Sequence, residues 1–328
     1  MLIDVLLIIL GLGLLLVGGD FLVRGASSIA SDFKVPPMVI GLTVVAFGTS
    51  APELSVNVLA AVKGNTDVSF GNIIGSNIAN IGLILGVCAM IKPLAIQGSI
   101  IGREIPMMLL ASFAALILAS DQLVLGEQSA FDRSDGLILL LLFGLFMYYT
   151  VAGVIKGRQS DPLLQQIEEE DDRSGSSKGL YNFGLVLVGL LMLVGGGQLA
   201  VDYSVSVASQ LGVPSVIIGL TIIAVGTSLP ELVSCGLATW KGHTDIAIGS
   251  VIGSNIFNLL LVSGICSTIT KIEVPMPGGD TDLFMMVFLS ALLLPLSLSF
   301  RSRLVRGEGV ALFAMYFAFM GWRVMSVV

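Results

Sequence analysis

The sequence predicts an all-α polytopic membrane protein of ten transmembrane helices, built as two inverted five-helix repeats. Three observations predict it. Only 12% of the 328 residues are charged and 55% are hydrophobic, with a mean hydropathy of +0.97, whereas a soluble domain carries about 25% charged residues. Apolar runs of about 20 residues, long enough to cross a bilayer as a helix, recur along the chain. A seven-residue motif, Gly48-Thr49-Ser50-Ala51-Pro52-Glu53-Leu54, returns as Gly226-Thr227-Ser228-Leu229-Pro230-Glu231-Leu232. The two-residue alternation of a transmembrane β-barrel is absent.

Hydropathy and helix breakers place the spans near residues 3–30, 36–62, 67–91, 100–119, 135–156, 181–210, 214–240, 245–270, 281–299 and 309–327. The first run has no basic segment before it and no small-residue cleavage site, so it reads as a membrane helix and not a signal peptide. The one long polar stretch, 157–180, holds Glu168-Glu169-Glu170-Asp171-Asp172 and Ser174-Gly175-Ser176-Ser177. It reads as a mobile linker between a first repeat, 1–156, and a second, 181–328. The net charge of −7 therefore describes loops, and no basic patch supports nucleic-acid binding. Cys88, Cys235 and Cys266 lie in apolar runs without paired spacing and read as small buried hydrophobes.

The repeat extends well beyond the motif. Glu53 and Glu231 stand 178 positions apart, and the same shift aligns Val35-Pro36 with Val213-Pro214, Ile40-Gly41-Leu42-Thr43 with Ile218-Gly219-Leu220-Thr221, Lys63-Gly64 with Lys241-Gly242, and Gly75-Ser76-Asn77-Ile78 with Gly253-Ser254-Asn255-Ile256. Roughly half of the positions from 35 to 86 match their partners, which marks an internal duplication. Five spans are an odd number, so the second copy enters the membrane upside down. Inverted repeats of this kind place a binding site at the midplane, where interrupted helices meet. Lys34, Lys92, Arg103, Lys156, Arg158, Lys241 and Arg306 fall on the linker's side, while Lys63, Arg133, Lys271 and Arg323 fall on the other. The bias puts the linker inside and both termini outside.

A carboxylate at the bilayer centre costs roughly 2.5–3.5 kcal/mol even on insertion scales, so Glu53 and Glu231 require a compensating partner. Pro52 and Pro230 each lack an N–H and clash with the carbonyl four residues back, which predicts a kink and freed backbone oxygens around 46–48 and 224–226. Thr49 shares a helix face with Glu53, and Thr227 with Glu231. Ser76 and Asn80, with their counterparts Ser254 and Asn258, add hydroxyl and amide oxygens. Such an all-oxygen set suits Ca²⁺, which takes six to eight oxygens at about 2.3–2.6 Å. No His or Cys stands near the motifs, against zinc and other transition metals. Gly71, Gly75, Gly249 and Gly253 form a stripe that allows close helix approach. Taken singly, a kink is more often architecture, and Ser or Asn on such a stripe more often bridges helices. Two mid-span glutamates at equivalent positions weigh against a merely hydrogen-bonded acid. Asp20 and Arg24, four apart, can pair, and Arg24 also has Asp202 as its pseudo-symmetric counterpart.

The doubled Gly-Thr-Ser-x-Pro-Glu-Leu and Gly-Ser-Asn-Ile-x-Asn motifs resemble the Ca²⁺/cation antiporter superfamily, most closely the prokaryotic Na⁺/Ca²⁺ exchangers. The resemblance covers essentially the whole chain outside the acidic linker. It implies that Glu53 and Glu231 are central carboxylates shared by Ca²⁺ and Na⁺. Thr49 and Thr227 would give main-chain oxygens to Ca²⁺. Ala46, Ser50, Ser76, Ala224, Ser228 and Ser254 would line flanking Na⁺ sites, and Asn80 and Asn258 would complete the central site. The first and sixth spans would slide against the rest, helped by Gly18-Gly19 and Gly195-Gly196-Gly197. Several relatives carry Asp at the position of Asn258; Asn here leaves two carboxylates and argues against K⁺ coupling. The reading implies no cofactor beyond the transported ions, no obligate protein partner, and a bacterial or archaeal cytoplasmic membrane. A H⁺/Ca²⁺ exchanger is the alternative within the superfamily and a cation channel the alternative outside it. An intramembrane protease would need a base that Ser-x-Pro-Glu lacks.

Overall fold

The computed structural model describes residues 2–33, 35–98, 100–120, 129–159, 175–211, 226–276 and 278–327. Nearly all of these are helical, as a chain in lipid must be if each backbone N–H and C=O is to be satisfied within its own segment. The helices are α1 (Leu2–Asp32), α2 (Pro37–Thr49), α3 (Ala51–Val62), α4 (Thr66–Ile91), α5 (Ile100–Leu118), α6 (Arg133–Gln159), α7 (Gly175–Gln210), α8 (Leu229–Trp240), α9 (Thr244–Ile269), α10 (Gly279–Leu298) and α11 (Arg306–Val327). Among the described residues, eight helices are long and apolar enough to cross a membrane, and the bent pair α2 and α3 makes a ninth span. α8 is the described part of the tenth; its predicted beginning at 214 lies outside the described residues, as do residues 160–174 of the acidic linker. α6 and α7 run into the two ends of that linker.

The inversion is visible in the packing of α1 on α7, its counterpart. A Cβ added at Gly11 would lie 2.7 Å from the Gly196 carbonyl, and one at Gly18 would lie 2.8 Å from that of Gly189. Further along, Gly25 abuts Asn182 and Val186. Numbers rise on one helix as they fall on the other, so equivalent helices run antiparallel. The ends are tied by a reciprocal pair of bonds: Asn182 Nδ2 donates to Asp32 Oδ2 and Gln210 Nε2 to Asp4 Oδ2, each at 2.7 Å. Four small or polar contacts at symmetric positions make α1 and α7 one body.

The remaining helices interlock across the halves in the same reciprocal way. Gly86 of α4 faces Gly309 of α11, and its counterpart Gly264 of α9 faces Gly136 of α6, with added Cβ atoms 3.0 and 3.2 Å from the opposing carbonyls. Short strands close each face: β1 (Leu94–Ala95) pairs antiparallel with β4 (Arg303–Leu304), and β2 (Ala130–Phe131) with β3 (Ile272–Glu273). On the pseudo-axis itself, Ser112 of α5 and its own counterpart Ser290 of α10 bond at 3.0 Å. α4 and α9 form the centre: 83% and 94% of their most apolar stretches are buried, against 22% for α1 and for α6.

The repeated Lys-Gly dipeptide has a local explanation. Gly64 and Gly242 take φ +74° and +91°, which favours glycine. Each ends its helix in a Schellman turn, with bonds from Asn65 N to Ala60 O (2.9 Å) and from His243 N to Ala238 O (2.8 Å). Gly249 and Gly253 of the predicted stripe do admit close approach, their added Cβ atoms falling 2.5 and 2.4 Å from the carbonyls of Met38 and Leu42. The stretch that would face Gly71 and Gly75 by symmetry, around 216–220, lies outside the described residues. Arg24 pairs with Asp20 at 2.8 Å and not with Asp202. Asp20 also takes Lys241 from the turn after α8, a contact the sequence did not suggest.

Overpacking a close helix interface costs about 1–3 kcal/mol. Gly196→Val, which drives a side chain into the Gly11 carbonyl, is expected to lower the melting temperature of the detergent-purified protein by several degrees. Gly13→Ala should leave it unchanged or raised, since nothing described lies within 4 Å of that position; equal melting of the two variants would count against the packing described.

Candidate functional site

The helix breaks coincide with the repeated motif. α2 ends at Thr49, Ser50 takes φ −85° and ψ 1°, and α3 begins at Ala51, bent by 44° from α2. Ser228 takes nearly the same angles, φ −90° and ψ 5°, before α8. Pro52 and Pro230 thus sit in the first turn of a new helix, where a missing N–H is tolerated. They leave the carbonyls of Gly48 and Gly226 without the usual helical donor. The Ala46 carbonyl, expected to be freed, is not: it accepts the Ser50 N–H at 2.9 Å and the Thr49 hydroxyl at 3.4 Å. Glu53 and Glu231 fall in the first turns of α3 and α8, at the positive ends of two helix dipoles, which favour a carboxylate.

Both glutamates are sealed from solvent, 2% and 3% exposed, and each has an Oε2 without a hydrogen-bond partner among the described residues. Ser50, three residues before Glu53, reaches Glu231 with its hydroxyl, so the two carboxyl groups belong to one small volume. Three carboxylates elsewhere in the helices differ. Asp282 takes Arg323 at 2.8 and 2.9 Å, Glu104 takes Arg103, and Asp20 takes Arg24 and Lys241. No described cationic side chain serves Glu53 or Glu231.

The site is shared between the halves. Ser50 Oγ lies 3.0 Å from Ser254 Oγ and 3.4 Å from Glu231 Oε1. α3 packs against the Asn258 region of α9, and α8 packs against the Asn80 region of α4. Both regions are wound as π-helix, Asn80–Leu85 in α4 and Phe257–Val262 in α9, a widened turn that often marks functional positions. Asn80 donates to Asn255 Oδ1 at 2.9 Å, while Asn258 Oδ1, Asn77 Oδ1 and Ser228 Oγ are buried without a described partner. Thr49, Ser76 and Ala46 are buried and Thr227 is half-buried. Ala224 lies outside the described residues. Asn57 and Asn72 escaped the sequence reading, and Asn77 and Asn255 entered it only as part of the repeated motif. Asn57 carried a signal, since it stands four residues after Glu53 on the same helix face.

An all-oxygen cluster that includes two carboxylates without a described cationic side chain has the chemistry that hard cations take. The sodium/calcium exchanger protein family matches residues 3–152 and 181–325. The chain belongs to that family. It is 35% identical over 328 residues to inner membrane protein YrbG of Escherichia coli strain K12, covering 98% of each chain. It is 32% identical over 353 residues to sodium/calcium exchanger MaX1 of Methanosarcina acetivorans, covering 97% of each. Among solved structures, the sodium-calcium exchanger NCX_Mj superposes with a TM-score of 0.83 at 30% identity, covering 98% of both chains. The family is one of ten-helix membrane exchangers, and the inverted five-helix repeats described above fit it.

Two buried carboxylates that repel each other destabilise the protein unless a cation lies between them. In Na⁺-free buffer with a chelator, Glu231→Gln is therefore expected to melt above the unsubstituted protein. CaCl₂ should raise the melting temperature of the unsubstituted protein and barely move that of the variant. A full Ca²⁺-induced shift in Glu231→Gln would remove Glu231 from the ligand set.

Proposed function

We propose that this protein is a secondary antiporter that exchanges Ca²⁺ for Na⁺ by alternating access. The observation that carries this reading is the pair of buried carboxylates, served by no described cationic side chain, at equivalent positions of two inverted halves, with Ser50 of the first half bonded to Glu231 and Ser254 of the second. The site holds a fixed charge of −2, because Asn80 and Asn258 are neutral. One Ca²⁺ or two Na⁺ at the same oxygens balance it, so the two ions compete and do not share it. An empty site leaves both charges in a low dielectric. Interconversion is therefore open to loaded forms and closed to the empty one, which makes exchange obligatory.

In this reading Glu53 and Glu231 bind both ions. Thr49 and Thr227 supply main-chain oxygens to Ca²⁺. Ser50, Ser76, Ser228, Ser254, Ala46 and Ala224 line flanking Na⁺ positions, and Asn80 and Asn258 close the centre. Asn80 spends its amide nitrogen on Asn255, which leaves its oxygen for a cation. α1 and α7, bound to each other end to end, are the body that slides to change access. The protein works in a cytoplasmic membrane, with residues 157–180 inside and both termini outside.

Glu53→Gln and Glu231→Gln are each expected to abolish Na⁺-driven ⁴⁵Ca²⁺ flux in proteoliposomes, and wild-type-like flux in either would sink the shared site. Ca²⁺ movement driven by a pH gradient, but not by a Na⁺ gradient at clamped pH, would assign the counter-ion as H⁺ instead. Omitting K⁺ should leave Na⁺-driven Ca²⁺ flux unchanged; a requirement for K⁺ would contradict a two-carboxylate site.

A further inference from the structure

Pseudo-symmetry makes each half of the site a control for the other. The halves match at the carboxylates and diverge one helical turn away. Four residues past Glu53 on α3 stands Asn57; four past Glu231 on α8 stands Cys235. On the facing helices, Asn72 of α4 corresponds to Ser250 of α9. The first half therefore has two amides where the second has a thiol and a hydroxyl.

The amides are organised. Asn57 Nδ2 donates to Asn72 Oδ1 at 2.8 Å and to the Glu53 carbonyl at 2.7 Å. Both N–H groups are thus spent and the side chain is fully buried, yet Oδ1 has no described partner. A buried acceptor held in place with nothing to accept is a cost in an apolar interior. It is also a rigid, neutral, hard oxygen of the kind that Ca²⁺ and Na⁺ take. In the other half Cys235 Sγ turns toward the Ala247 carbonyl at 3.8 Å, and a soft thiol is a poor ligand for hard cations.

We propose that Asn57, positioned by Asn72, is a further ligand for the transported cation. It stands on the path from the carboxylates to the membrane face that carries the turn at Lys63 and Gly64. On the path to the opposite face, at Lys241 and Gly242, the counterpart of Asn57 is the thiol of Cys235, and Ser250 in place of Asn72 offers a hydroxyl and no amide oxygen. Because the amide is neutral, it extends the coordination without changing the charge balance at the centre. The two faces of the protein therefore differ in apparent cation affinity. This inference rests on the exchanger reading.

The test is Na⁺-driven ⁴⁵Ca²⁺ exchange in proteoliposomes sorted by orientation through capture on a C-terminal tag, with Ca²⁺ varied on one face at a time. Asn57→Cys gives the first half its counterpart's residue. It is expected to raise the half-saturating Ca²⁺ concentration roughly tenfold at the Lys63 face, with little change at the Lys241 face. Asn72→Ala should shift the same face and add nothing in the Asn57→Cys background, as a residue acting through Asn57 must. Cys235→Asn should lower half-saturation at the Lys241 face alone. Equal shifts on both faces would show that Asn57 only staples α3 to α4, and the absence of any shift would also overturn the proposal. If Asn57→Cys does not elute as a single monodisperse species, Cys235→Asn decides alone: a gain confined to the Lys241 face upholds the proposal and no gain overturns it. Absence of exchange in the unsubstituted protein would overturn the exchanger reading itself. Normal exchange with unsided variants would overturn only this inference.

Discussion

Two negative charges held together away from water are the constraint on which this structure depends. Ionised together in a low dielectric, two carboxylates repel each other, and desolvation adds to that cost. Two helix N-termini and the Ser50 hydroxyl offset part of the cost, and in the function proposed above a bound cation offsets the rest. Each element around the centre follows from that arrangement. The prolines start new helices at the carboxylates. The π-wound turns of α4 and α9 bring amides to the same depth. The close glycine contacts at Gly249 and Gly253 press α9 against α2. Asp20, Glu104 and Asp282, by contrast, each have an arginine or lysine partner.

Much of this was legible in the sequence because duplication repeats its own signal. A lone Pro-Glu in an apolar run is ambiguous, whereas the same dipeptide twice, with matched hydroxyls and a shared offset, is not. The spans and the break at Ser50 followed from hydropathy and from proline's missing donor. Other features depended on the tertiary structure. No residue type spells a π-helix, so the winding at Asn80 and Asn258 could not be read. Asp20 meets Lys241 only because α1 packs beside the turn after α8. The Ala46 carbonyl was expected to be free because proline chemistry alone does not say where the chain restarts; the Thr49 hydroxyl and the Ser50 N–H close onto it instead. Asn57 was visible at helical spacing from Glu53 but was passed over, because the sequence gives no account of which amide atoms are already in use.

The sliding body proposed here is held in two different ways. Within it, α1 and α7 touch backbone to backbone and are fastened at both ends by carboxylate–amide bonds. Against the rest of the protein it presents smaller contacts and, among the described residues, one ionic tie, from Asp20 to Lys241. That tie has no twin, because the counterpart positions hold Gln198 and Lys63. A two-fold fold thus carries a one-sided attachment, and in the sliding motion proposed above the two directions would not be energetically alike.

The reciprocal clasps have a consequence for how the protein is made. β1 waits for β4 and β2 for β3, while Gly86 is covered by a helix that begins at Arg306. Glu53 lacks its opposite wall until α8 and α9 exist. As the ribosome proceeds, the first five spans must therefore remain in the bilayer with an acid and several amides unsheltered. They remain so until nearly the whole chain has been inserted. Neither half is a self-sufficient folding unit, and synthesis of one alone should yield a substrate for membrane quality control and not half a transporter.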